Sequence, residues 1–149
     1  MSGLRETKRG ERGQALVEFS LVSIVFFLLV FGMVDVGRAV WNYNTLAQAT
    51  REGARYAIVH GGDSLDPSGP GSDYYTEPDT DSMVTQQVET YGGGLSPSRL
   101  TVQAEWPDGS NIAGSHVKVT SQYEFDPIFD FLGIASFTMT SSSTMLITN

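Results

Sequence analysis

The chain has 149 residues and no cysteine, and its formal net charge is −8. That length leaves room for one membrane anchor and one small domain, and without cysteine neither a disulfide framework nor a thiolate metal site can form. The charge is unevenly spread: residues 1–13 hold four basic against two acidic residues, whereas from residue 61 onward twelve Asp and Glu face only Arg99 and Lys118. A domain this acidic excludes nucleic acid, whose phosphates demand Lys and Arg, and disfavours electrostatic attachment to an anionic lipid surface.

Taken in chain order, the first segment is basic, with Arg5, Lys8, Arg9 and Arg12. Residues 13–19 follow, reading G-Q-A-L-V-E-F, and they stand at the lip of an apolar run over residues 15–34 broken only by Glu18, Ser20 and Ser23. Twenty helical residues at about 1.5 Å each cover about 30 Å, the thickness of a bilayer's hydrocarbon core. The run is too long for a secretory h-region and has no small-x-small cleavage site behind it. Lys and Arg favour the cytoplasmic side, so the basic flank predicts an N-in, C-out single pass, although Arg38, Arg51 and Arg55 put positive charge on the far side too. Glu18 is the anomaly. A carboxylate in a membrane helix costs roughly 2.5–3.5 kcal/mol at the centre and less near the ends, so it calls for a cationic partner or an escape to water.

The helical pattern continues past the apolar run. Val36, Val40, Tyr43, Ala47, Thr50, Ala54 and Ala57 recur at spacings of three and four, predicting one stripe. No proline occurs before residue 60, so a single helix is expected from about residue 14 to 60, stopped by Gly61 and Gly62. Ala49, Gly53 and Ala57 place small residues four apart. Glycine inside a helix costs about 1 kcal/mol relative to alanine, which points to close approach by another backbone, either this chain's own or a neighbouring subunit's.

Residues 63–80 read as a loop, rich in Gly, Pro, Ser and Asp. A short helix is expected next, capped by Thr80 or Asp81, lined by Val84, Val88 and Tyr91, and ended by Gly92, Gly93 and Gly94. The remainder alternates with period two. Leu100, Val102, Ala104 and Trp106 oppose Thr101, Gln103 and Glu105, and Pro107, Asp108 and Gly109 begin a turn. Val117, Val119, Tyr123 and Phe125 oppose Lys118, Thr120, Gln122 and Glu124. A last strand over about residues 137–148 groups Phe137, Met139, Met145 and Ile147. Three half-buried strands make an antiparallel meander whose apolar face needs a cover, and the outer half of the long helix is the expected one.

No catalytic constellation is present: His60 and His116 are far apart in the pattern, and there is neither a G-x-S-x-G nucleophile motif nor a phosphate-binding loop. Asp63, Asp66, Asp73, Glu77, Asp79 and Asp81 offer oxygen ligands of the kind calcium takes, but D-T-D-S lacks the glycine and distant glutamate of an EF-hand loop, so a solvated loop is expected. The chemistry therefore returns to Glu18. A chain cut after Gly13 would begin at Gln14 with a charged α-amine, one helical turn from Glu18. That amine and the carboxylate would neutralise each other within a chain or between neighbours.

Residues 13–19 ahead of an apolar helix resemble the class III signal of prepilin-like proteins, in the G-x-x-x-x-E-F/Y form of tight-adherence (Flp) pilins. The continuation G-R-A-V-W-N-Y-N-T-L-A-Q-A-T-R-E-G-A-R-Y-A over residues 37–57 resembles the TadE-like minor pseudopilins, through Arg38, Tyr43, Leu46, Ala49 and the block Arg51, Glu52, Gly53, Ala54, Arg55. The resemblance covers about a third of the chain. It implies an inner-membrane prepilin peptidase cutting between Gly13 and Gln14, with Glu18 and Phe19 as the signal's acid and aromatic. It also implies partners among other pilins or pseudopilins and the tight-adherence assembly platform. Glutamine departs from the methylated phenylalanine usual at that mature N-terminus, and its cyclisation would remove the amine.

Together these readings predict an α+β, pilin-like chain with a basic leader (residues 1–13), a transmembrane segment (14–35), an extracytoplasmic half-helix (36–60) and an acidic headpiece (61–149). It is expected to be a pseudopilin of the inner membrane and not an enzyme, with no cofactor and no metal, in contact with the lipid bilayer. The competing reading is an uncleaved single-pass surface protein whose headpiece binds a partner or ligand. A major filament subunit is disfavoured by the large headpiece.

Overall fold

The computed structural model describes residues 3–69, 83–128 and 136–148, with side chains from residue 13 onward. Its elements are α1 (Gly3–Val59), α2 (Met83–Tyr91), a short 3-10 turn (Pro97–Arg99) and three strands, β1 (Leu100–Glu105), β2 (His116–Phe125) and β3 (Phe137–Leu146). The architecture is α+β with a pilin-like layout. The chain divides into two compact units, Met1–Arg38 and Ala39–Asn149.

The first unit is helical. α1 reaches back to Gly3, further than the expected start near residue 14, because Leu4, Arg5, Glu6, Lys8, Arg9, Glu11 and Arg12 are good helix formers. Its apolar side chains are exposed on every side, including Leu16, Phe19, Val22, Phe26, Leu29 and Met33. None of the apolar window is buried among the described residues, and a helix that is apolar all round suits lipid as its solvent.

In the second unit the strands pair antiparallel in the order β1-β2-β3. Leu100 lies opposite Tyr123 and Glu105 opposite Lys118, while Phe125 lies opposite Phe137 and His116 opposite Leu146. The alternation read from the sequence holds, with Val102, Val117, Val119, Tyr123, Phe125, Met139 and Ile147 all buried. The opposite face carries Thr101, Gln103, Thr120, Gln122, Thr140, Ser142 and Thr144, with Lys118 Nζ 3.4 Å from Glu105 Oε2 across the strands.

The core falls into two clusters that give the headpiece a direction. One contains Leu46, Leu95, Tyr123, Phe125 and Met139, with Ala39 packed against it. The other contains Ala49, Ala54, Ala57, Val84, Val88, Val102, Trp106, Val117, Val119 and Ile147. α1 thus runs along the sheet from the end where Phe125 meets Phe137 to the end where Ile58 O accepts from Thr148 N at 3.3 Å. α2 runs antiparallel to it: Val84 and Val88 lie at Gly53, and Gly94, past the C-terminus of α2, lies at Trp41. Gly94 has φ +91°, a conformation that favours glycine and that ends α2 as the three glycines predict.

Three expectations change. Val36, Val40 and Tyr43 are at least half exposed, and the buried lane instead runs through Asn42, Leu46, Ala49, Thr50, Gly53, Ala54 and Ala57. The two share Thr50, Ala54 and Ala57, buried as expected; they part nearer the N-terminus, where Asn42 and Leu46 are buried in place of side chains one residue away, about 100° around the helix. Tyr91 is exposed, and Thr85 takes its place beside Val84 and Val88, since those three share one narrower arc of α2. Phe137 is 44% exposed and the strand stops at Leu146, so its inner row is covered at Met139 and Ile147 but open at its first residue. The expected caps Thr80 and Asp81, and Asp73, Glu77 and Asp79 of the acidic loop, lie outside the described residues.

Candidate functional site: the signal segment and the long helix

Residues 13–19 lie inside α1, so the Gly13–Gln14 bond is in helical backbone. A Cβ added at Gly13 would meet nothing within 4 Å. Among the described residues packing therefore gives no reason for glycine there. Phe19 is 71% exposed. The carboxylate of Glu18 accepts from the side-chain amide of Gln14, with Nε2 3.4 Å from Oε1 across one helical turn. In the intact chain the first partner of this acid is thus a neutral amide on its own helix.

Further along the same unit, Arg38 Nη1 lies 2.9 Å from Asp35 Oδ1. The two charges that follow the apolar run are paired at i,i+3 and present no net charge at that level of the helix.

The remaining motif residues separate into two faces. Leu46, Ala49, Ala54 and Ala57 are fully buried, and Gly53 lies so close to α2 that a Cβ would run into Val88 Cγ2. Ala49, Gly53 and Ala57 therefore line this chain's own core. Tyr43, Arg51 and Arg55 are exposed; Arg55 Nη1 makes only a long 4.0 Å approach to Glu52 Oε1. Burial accounts for the small residues of the block but not for its arginines.

Two features had no clear signal in the sequence. Asn111, buried in the β1–β2 connection, accepts from the Trp106 indole N–H at 3.2 Å and donates to Gly69 O, tying the segment after α1 to the sheet. Asp108 in the same connection accepts from the His116 backbone N–H at 2.7 Å and lies 2.8 Å from His116 Nδ1. The imidazole contact, then the backbone N–H, hold the Asp108 carboxyl below the usual carboxylate range. Among the described residues no three His, Asp or Glu side chains gather into a metal site.

No curated protein and no solved structure matches this chain. Among the described residues one helix, near the N-terminus, is long and apolar enough to cross a membrane. Residues 13–55, which run from the glycine of the G-Q-A-L-V-E-F segment to Arg55, match the family model described as TadE-like protein. The similarity is thus to TadE-like proteins and lies within the long helix.

Proposed function

We propose that the chain is a minor pseudopilin, cut by a prepilin peptidase between Gly13 and Gln14 and then assembled into, or beneath, a tight-adherence pilus. The observation that carries this reading is the exposed G-Q-A-L-V-E-F segment joined without a break to an apolar helix. Gly13 has open space around it and Phe19 stands free, so both are available to a protease. Cutting a helical bond requires local unwinding. Gly10 and Gly13 each weaken the helix by about 1 kcal/mol relative to alanine, which lowers that cost at the right place.

In this reading the basic leader stays cytoplasmic and the headpiece lies outside the inner membrane. The peptidase and the tight-adherence platform are its partners before assembly, and other pilins or pseudopilins afterwards. The protein has no catalytic work of its own. Tyr43, Arg51 and Arg55, exposed beside the packed lane, are the motif residues left over for a neighbouring subunit.

Co-expression with a prepilin peptidase tests the reading directly. The intact mass should shift to that of a chain beginning at Gln14, and Gly13→Ala or a bulkier replacement should slow the shift. An unchanged mass in the presence of active peptidase overturns it and favours an uncleaved single-pass protein whose headpiece binds a surface partner.

A further inference from the structure

β3 ends one side of the sheet, and among the described residues no strand pairs with its outer edge. Ile147 N–H donates to Ser115 O at 2.8 Å and Ile147 O accepts from Gly114 N–H at 2.9 Å, so Ile147 turns its backbone toward β2. Antiparallel strands alternate in this respect, and the register of β2 on β3 runs unbroken from Phe125 opposite Phe137 to His116 opposite Leu146. Thr138, Thr140, Ser142, Thr144 and Leu146 therefore point their N–H and C=O groups away from the sheet. All five residues are exposed. Among the described residues the first backbone bond on that side comes at Thr148, whose N–H donates to Ile58 O at 3.3 Å.

Edge strands are normally protected by short length, by Lys or Pro, or by a bulge. β3 has none of these protections: it is ten residues long, F-T-M-T-S-S-S-T-M-L, with no charge, proline or glycine. The other edge is defended. β1 has six residues and carries Glu105, and Val102 in its middle is 3% exposed.

Charge and register decide what fits beside β3. From residue 61 onward twelve Asp and Glu face two basic residues, so two headpieces repel each other over most of their surface. Residues 137–149 carry no charge at all, and along them a second, equally acidic copy can approach. The free edge also matches itself. Its midpoint is Ser142, and a two-fold axis there sets Thr140 opposite Thr144 and Thr138 opposite Leu146. The inner row then continues in kind, with Met139 opposite Met145 and the half-exposed Phe137 opposite Ile147. An axis at Ser141 sets Met139 against Ser143 and loses that match.

We propose that β3 is a self-association edge. Two copies of the chain pair their β3 strands antiparallel about Ser142, joining two three-stranded sheets into one through about ten main-chain hydrogen bonds. Every pairing residue lies in the second unit, and cleavage at Gly13 is not required.

The full chain in detergent, over a range of concentrations, tests the pairing, and the absence of cysteine allows single-site labelling. Ser142→Cys should give a disulfide-linked dimer on mild oxidation, because opposed hydrogen-bonded residues have Cα atoms about 5.5 Å apart. Gln103 is level with Ser142 through Thr120. Gln103→Cys should not crosslink, and nitroxides attached there should lie about 24 Å apart, five strand spacings. Ser142→Lys sets like charges opposite each other and should be monomeric where the unaltered chain is dimeric, with its circular dichroism unchanged. If Ser142→Lys does not fold, the crosslink and the Gln103 distance decide. Equal crosslinking at both positions, a dimer that survives Ser142→Lys, or a different Gln103 distance means that the copies are held elsewhere and overturns the proposal. An unaltered chain that is monomeric throughout overturns it too, as does Ser142→Cys crosslinking in cell membranes solely to a different protein.

Discussion

Gly53 of α1 faces Val88 of α2 with no room between them for a methyl group. A Cβ there would meet Val88 Cγ2 well inside van der Waals contact, with Val84 Cγ1 and Val84 O at 3.6 Å behind it. The glycine costs about 1 kcal/mol of helix propensity, and what it obtains in return is the close seat of α2.

Two opposing terms decide the effect of Gly53→Ala. Alanine regains about 1 kcal/mol of propensity, while overpacking a well-filled core typically costs about 1–3 kcal/mol. The expected outcome is a small net loss, about 1 kcal/mol, read as a lowered Tm of the detergent-solubilised chain. Adding Val88→Ala should recover part of that loss, giving a measurable coupling in the double-mutant cycle. Strict additivity of the two changes would show that the contact carries no strain.

Glu18 is expected to matter after cleavage more than before it. In the intact chain it accepts from the neutral Gln14 amide; in a chain beginning at Gln14 the α-amine becomes available one turn away, unless cyclised. Glu18→Ala should still be cut by the peptidase but should co-purify poorly with partner pilins. Normal recovery of the mutant in sheared pilus fractions would remove Glu18 as a register device.

Asp108 supplies a pH-dependent contribution whose sign follows from its depressed folded-state pKa. The stabilisation is present above the unfolded value, about 3.9, and is lost as pH falls through the lower folded value. A carbon-detected NMR titration should therefore place the Asp108 midpoint below that of an ordinary aspartate. In Asp108→Asn the loss of Tm across this acid range should be shallower. An ordinary midpoint would mean that the His116 contacts do not persist in solution.

Asn111 should behave as a clamp. Asn111→Ala removes one acceptor of the Trp106 indole and the donor to Gly69 O, and losing buried partners of this kind costs about 1–3 kcal/mol. Asn111→Asp keeps the acceptor but not the donor, so an intermediate loss is expected. Hydrogen exchange offers a local reading: the Ser68 amide, which donates to His60 O at 2.8 Å, should exchange faster in both variants. Unchanged protection at Ser68 would show that the segment after α1 is held by other contacts.

Much of this was legible in the residues because it depends on local pattern. The period-two alternation of Leu100, Val102, Ala104 and Trp106, and of Val117, Val119, Tyr123 and Phe125, fixes which face of each strand is buried. Three successive glycines after Tyr91 end α2. The apolar run and the G-Q-A-L-V-E-F segment are likewise local, and they were enough to point to a TadE-like helix. Asn111 was not legible, since nothing in its neighbours says that a loop forty residues earlier returns to it.

The sequence alone determined that one helix runs from the apolar segment into a small α+β headpiece, because helix and strand periodicities need only neighbouring residues to be read. It determined the buried side only from Ala49 onward, where Ala49, Thr50, Gly53, Ala54 and Ala57 are buried as expected, and not nearer the N-terminus. There Val40 and Tyr43 are apolar enough to be buried, and only the packed core selected Asn42 and Leu46 instead. Tertiary structure alone also decided that Trp41 meets Gly94 and that Leu46 shares a cluster with Phe125 and Met139, since residues so far apart in the chain meet only when the core has packed.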